Sequence, residues 1–142
     1  MKVLRSVVFA LGLLLVVSAV HAQSGAVSAN IPFDFVVGKQ VYPAGNYLLS
    51  PWGMSDESIL ISSTGESKFG RVFTSPCEKP DRAAQTVLIF HRYGDQYFLE
   101  QVWTEGSRLG RQFPKSKIET QLAKKHTDHE VAMVPAPVTQ NP

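Results

Sequence analysis

The chain has 142 residues, 44% of them hydrophobic, with 14 basic against 12 acidic side chains and a single cysteine. That length supports one domain with one modest core. A lone cysteine excludes an internal disulfide, so the fold has to be held by packing.

Lys2 and Arg5 precede an uncharged run through Val7 to Val17, and Val20-His21-Ala22 follows. That order is the three-part plan of a secretory signal peptide with a small residue at the cleavage position. The apolar run stops short of the roughly 20 residues a spanning helix needs. The expectation is therefore a signal peptide at 1–22 and an exported protein, periplasmic or extracellular. No transmembrane helix is expected after its removal. Without Lys2 and Arg5 the charges balance at 12 each, so the mature domain lacks the electrostatic footprint of a nucleic-acid binder.

Residues 23–29 read as a linker, 30–125 as a β-domain and 126–142 as a disordered tail. Ile31, Phe33, Phe35 and Val37 alternate with Pro32, Asp34 and Val36, the period of a strand with one buried face. Pro32 places this strand at an edge or at its own start. Gly38-Lys39 turns the chain, and Pro43-Ala44-Gly45 carries Pro and Gly in the order of a type II turn. Strands are expected again at 46–50, 58–62 and 68–73, with loops at 51–57 and 75–84.

The strongest signal is the stretch from Gln85 to Trp103. Two runs rich in β-branched and aromatic residues flank Tyr93-Gly94-Asp95, which marks a hairpin. A two-residue loop at Gly94-Asp95 sets Arg92 opposite Tyr97, Phe90 opposite Leu99, Leu88 opposite Gln101 and Thr86 opposite Trp103. The other side then carries Val87, Ile89, His91, Phe98, Glu100 and Val102. Both faces are largely apolar, so the hairpin belongs mid-sheet with something packed over each face.

A last short strand is expected at 108–113. Ser116-Lys117-Ile118-Glu119 then matches a capping box and opens one helix near 116–125. Ile118 and Leu122 are the side chains expected to dock it on the sheet. The fold class is all-β: a small antiparallel barrel or sandwich of about seven to eight strands with a short C-terminal helix.

Chemistry-bearing residues are few. There is no Gly-x-Ser-x-Gly elbow. His91, diagonal to Glu100 across the hairpin, forms either an acid/base or ligand pair or a histidine tucked at the sheet. His126 and His129, with Asp128 and Glu130, form the most metal-like cluster, though in a segment without rigid support. Trp52, in a loop beside Gly53, is a candidate binding residue. The basic run Arg108, Arg111, Lys115, Lys117, Lys124 and Lys125 reads as a solvated face or an anion-facing one. Cys77 sits beside Glu78 in a proline-bounded loop, where nothing activates it.

The motifs Ile31-Pro32-Phe33-Asp34-Phe35 with Val37-Gly38, Pro43-Ala44-Gly45-Asn46-Tyr47, Tyr93-Gly94-Asp95-Gln96-Tyr97-Phe98-Leu99 with Val102-Trp103, and Pro114-Lys115-Ser116 with Glu119 span most of the domain. Together they resemble an uncharacterised group of small exported bacterial proteins. The resemblance implies an exported bacterial β-domain and transfers no activity or site. The functional expectation is a non-enzymatic binding or structural module of the cell envelope. Its partner would be an unknown ligand or envelope component, with no cofactor and no nucleic acid. The alternative is a small hydrolase or metal-dependent enzyme using His91 and Glu100.

Overall fold

The computed structural model describes residues 26–54, 57–65, 68–126 and 129–136; the expected signal peptide at 1–22 lies outside them. Among these residues eleven strands and one helix follow in chain order: β1 (Val27–Ile31), β2 (Phe35–Val37), β3 (Gln40–Tyr42), β4 (Gly45–Pro51), β5 (Ser58–Ser63), β6 (Phe69–Phe73), β7 (Ser75–Glu78), β8 (Val87–Tyr93), β9 (Gln96–Trp103), β10 (Leu109–Gln112), α1 (Lys117–Lys125) and β11 (Glu130–Pro135).

They form two sheets, β1-β4-β5-β6 and β11-β8-β9-β10-β7, with β2 and β3 joined to the second through β9. The all-β expectation holds as a sandwich, not a closed barrel. Its pairings are antiparallel except for β2 on β9, where Phe35 and Val36 run parallel to Tyr97 and Phe98. β9 thus gives one edge wholly to β8 and divides the other between β2 and β10.

The core fills the space between the sheets. Val27, Ala29, Ile31, Leu49, Ile59 and Ile61 come from one side, and Leu88, Phe90, Leu99 and Val102 from the other. Phe35, Tyr42, Tyr47 and Phe90 interlock edge-on and stacked, with ring centroids 5.1–5.8 Å apart, the offsets aromatic quadrupoles prefer.

Several expected boundaries move. The strand expected across 30–37 is two. β1 starts inside the expected linker, and the chain breaks at Pro32–Asp34 before β2 while keeping its inward phase at Ile31, Phe35 and Val37. β1 is an edge strand, where the proline signal pointed. Gly45 does not close a type II turn. It pairs with Ile31, while the Ala44 N–H donates to Asp34 Oδ1 at 2.9 Å. Ser75–Glu78, expected as loop, is β7 on the edge beside β10.

The expected disordered tail contains β11, which adds to β8 with Glu130 opposite Arg92 and Val134 opposite Leu88. Ala132, Val134 and Ala136 turn inward, whereas Val131 and Met133 are exposed. Pro135 is tolerated because β11 is a sheet edge and Pro135 ends it. The Arg92 guanidinium donates to Glu130 at 3.1 Å at the start of the pairing.

The hairpin forms as expected around Gly94, whose φ of +60° suits glycine. Tyr93 pairs with Gln96, Arg92 with Tyr97 and Phe90 with Leu99. Beyond them the register shifts: Ile89 pairs with Gln101, Leu88 with Val102 and Val87 with Trp103. Glu100 is therefore the extra residue of a β-bulge. Because of it, Val102 joins the core face and Trp103 joins Val87 and Ala83 in a smaller cluster on the opposite face.

Candidate functional site

The site lies on that opposite face, away from the sandwich core. Strand alternation turns Leu88 and Phe90 inward and His91 outward. In a regular ladder Glu100 and Gln101 would point to opposite faces. The bulge sets both on His91's side, because the extra residue has no partner to hold the alternation. The bulge falls between the stretch of β9 held by β2 and the stretch held by β10, and the Phe113 N–H donates to the Glu100 carbonyl at 2.9 Å.

Helix α1 supplies the third group. Ser116 is its N-cap, and the Ser116 hydroxyl accepts from the Glu119 N–H at 3.0 Å, satisfying one of the four open donors of the first turn. The expected capping serine is thus in place. Of the two expected docking residues, Ile118 is exposed and Leu122 only half-buried, and Glu119 is the buried one. The Glu119 carboxylate faces β8, where its Oε1 accepts from the Tyr93 hydroxyl at 3.5 Å.

Three donors converge beneath the helix. His91 Nδ1 stands 3.6 Å from Glu100 Oε2 and 3.6 Å from Glu119 Oε1, and the three atoms lie within 4.8 Å of one another. Only 6% of Glu100 and 2% of Glu119 is exposed. At 3.6 Å these contacts are too long for hydrogen bonds, and His91 Nδ1 and Glu100 Oε2 are buried with no hydrogen-bond partner. The other Glu100 oxygen, Oε1, accepts from Gln112 Nε2 at 3.2 Å. His129 closes the outer side, its ring centroid 4.5 Å from that of His91 and 5.6 Å from that of Tyr93.

Burial, and then the neighbouring Glu100 charge, push the Glu119 carboxyl up to about 7, against the pull of Lys115 and the Tyr93 hydrogen bond. Burial also lowers His91. Glu100 opposes that shift, while His129 and Lys115 reinforce it. Burial, then Glu119 and Glu100, raise the Tyr93 phenol. Desolvation thus works against ionisation of both His91 and Glu119.

Of the residues singled out in the sequence, His91, Glu100 and His129 come together. His126 does not join them: it is the exposed C-cap of α1, and Thr127 and Asp128 lie outside the described residues. Trp52 is half exposed at the end of β4, on the other sheet, beside Phe69, Gly70 and Arg71. Tyr42, Tyr47, Tyr93 and Trp103 are buried and serve packing. Arg111 of the basic run donates to Thr74 Oγ1 at 2.9 Å. Cys77 is half-buried in β7, and burial pushes its thiol up. Glu119 is the residue that sequence reasoning assigned to the helix cap alone. The sequence carried no signal for its second role, because Ile118 and Leu122 were the side chains expected to face the sheet.

The fold and the site define a two-sheet β-sandwich with a buried histidine–dicarboxylate pocket roofed by its single described helix. Neither family models, nor curated proteins, nor solved structures give a match to this chain. No helix among the described residues is long and apolar enough to cross a membrane.

Proposed function

We propose that this chain is an exported, non-enzymatic binding module of the cell envelope, and that it binds a small cation in the pocket of His91, Glu100 and Glu119. The observation that carries the reading is the pair of buried, facing and unpartnered atoms His91 Nδ1 and Glu100 Oε2. A buried polar atom without a partner costs roughly 1–3 kcal/mol, and a bound cation would remove that cost for both His91 Nδ1 and Glu100 Oε2. Roofing by α1 favours an ion over an organic substrate, because so little of either carboxylate reaches solvent. Export is supported by the N-terminal charge and apolar pattern and by the motif resemblance.

A thermal-shift survey with Mg2+, Ca2+, Mn2+ and Zn2+ tests the binding reading. At least one cation should raise the midpoint of the native chain and leave Glu100→Gln/Glu119→Gln unmoved. Equal behaviour of the two proteins with every cation would overturn it. Intact mass of the secreted protein should show a chain starting at Gln23. Catalysis by the same groups is the second reading, favoured by a Glu119 carboxyl poised at about 7 next to a histidine. It requires an ester- or amide-hydrolysing activity that Glu119→Gln abolishes in a folded protein.

A further inference from the structure

Resting on that cation-binding reading, we infer that the pocket is a site for a borderline divalent transition ion of the Zn2+ type, ligated by His91 Nδ1, Glu100 Oε2 and Glu119 Oε1, with His129 as the fourth ligand. The distances carry the assignment. Ligands at about 2.0–2.1 Å around a tetrahedral ion stand about 3.3–3.4 Å from each other. His91 Nδ1 lies 3.6 Å from each carboxylate oxygen, so two edges of the polyhedron are nearly formed. The third edge of that face closes with small rotations of the carboxylates, since one ligand atom from each of the three residues already sits within 4.8 Å of the others; His129 stands outside that group, and its exposed ring turns inward to supply the fourth vertex.

The donor chemistry narrows the ion. One or two imidazoles with two carboxylates suit Zn2+, Co2+ or Ni2+, whereas Mg2+ and Ca2+ take oxygen donors and several waters. A site nine-tenths buried on both carboxylates leaves little room for such waters. The outer groups are also those of a metal site. Gln112 holds the far oxygen of Glu100, leaving Oε2 free to ligate, and Tyr93 holds Glu119. Lys115, whose charge reaches both Glu119 and His91, offsets part of the carboxylate charge there.

The fourth ligand ties two elements together. His129 immediately precedes β11, and its ring lies against His91 on the solvent side. An ion gripping His129 would fasten the start of β11 to α1 and β8, so metal loading and docking of the C-terminal segment would be coupled.

The test uses the chain expressed with its complete N-terminus, stripped with chelator and titrated with Co2+ and Zn2+, with Mg2+ and Ca2+ as separate arms. One equivalent of Co2+ should bind with the visible absorption of a four-coordinate ion, and Zn2+ should displace it. His91→Ala should abolish that signal. Gln112→Ala, which touches no ion, should weaken binding about 10–100-fold, and His129→Ala should weaken it and change the spectrum. Binding of Ca2+ or Mg2+ alone, or Co2+ binding that survives His91→Ala, would overturn the transition-ion assignment and leave the cation-binding reading standing. A His129→Ala protein with an unchanged spectrum would overturn the fourth ligand. Failure of every divalent ion to bind would overturn this inference and the binding reading together.

Discussion

The two faces of the β8–β9 hairpin share one backbone and differ in almost everything else. On the inner face Leu88 and Phe90 are fully buried and Leu99 and Val102 nearly so, and each packs on apolar neighbours from the other sheet. On the outer face, one residue along, His91 and Glu100 carry polar atoms that meet nothing they can bond. The inner face does what alternation and the hydrophobic effect require. The outer face buries groups that burial penalises, and proteins keep such groups where they serve a function. Strand alternation separates the two environments by the thickness of a sheet, and the bulge at Glu100 is what allows β9 to serve both.

The largest expected effect tests the inner half of this contrast. Leu99→Ala should destabilise by about 2–5 kcal/mol, the range for a buried leucine, out of the ~5–15 kcal/mol a domain usually has. His91→Ala, two steps across the hairpin, should cost far less, because it removes a buried nitrogen that has no partner. Urea midpoints for the two variants check this. Comparable losses would mean that the outer face is structural and the contrast false.

The next effect is smaller and concerns pH. In the metal-free protein, with chelator present, Glu119 titrates at about 7 when folded against 4.5 when unfolded. Below about 4.5 both states hold the proton and the carboxyl carries no penalty. Between these values the folded chain keeps a proton that the unfolded chain has released, so stability falls as pH rises, by up to about 3 kcal/mol in total. His91, lowered in the fold from 6.5, works in the opposite sense over part of the same window, its contribution rising with pH. Glu100, Lys115, Tyr93 and His129 act on one or both of these groups. The difference between native protein and Glu119→Gln isolates the carboxyl. Native stability relative to the variant should decline from pH 4.5 to 7, and a flat difference would place Glu119 in an ordinary solvated setting.

Local chemistry made the inner face legible. The Gly94-Asp95 loop, the pairs Arg92–Tyr97 and Phe90–Leu99 and the capping Ser116 all follow from residues within a few positions of one another. The bulge was not legible, because neither Leu99, Glu100 nor Gln101 is a glycine or any other residue that marks one. Its position depends on β2 and β10 sharing an edge of β9, which is a tertiary fact. β11 was hidden for a related reason: its inward residues Ala132 and Val134, and Ala136 just after it, are small, and Pro135 and Pro137 at its end read as a break in the pattern. Half of the site was therefore visible, as His91 diagonal to Glu100, while Glu119 entered only when the helix was laid across the sheet.

The smallest expected effect joins the two faces through the helix. Ser116 accepts the Glu119 N–H, so Ser116→Ala should cost about 1 kcal/mol as the loss of an N-cap. Were the cap only a stabiliser, its removal would lower the unfolding midpoint and nothing more. The cap also fixes the first turn of α1, and Glu119 is the third residue of that turn, the one aimed at His91. A metal site tolerates little positional slack in its ligands, so fraying there should weaken Co2+ binding by more than the stability change alone would suggest. Ser116→Thr, which keeps a hydroxyl at the cap, should recover both properties. Stability lost without any change in binding would show that Glu119 is held by the Tyr93 contact and the packing of α1 on β8. The capping serine would then belong to the scaffold alone.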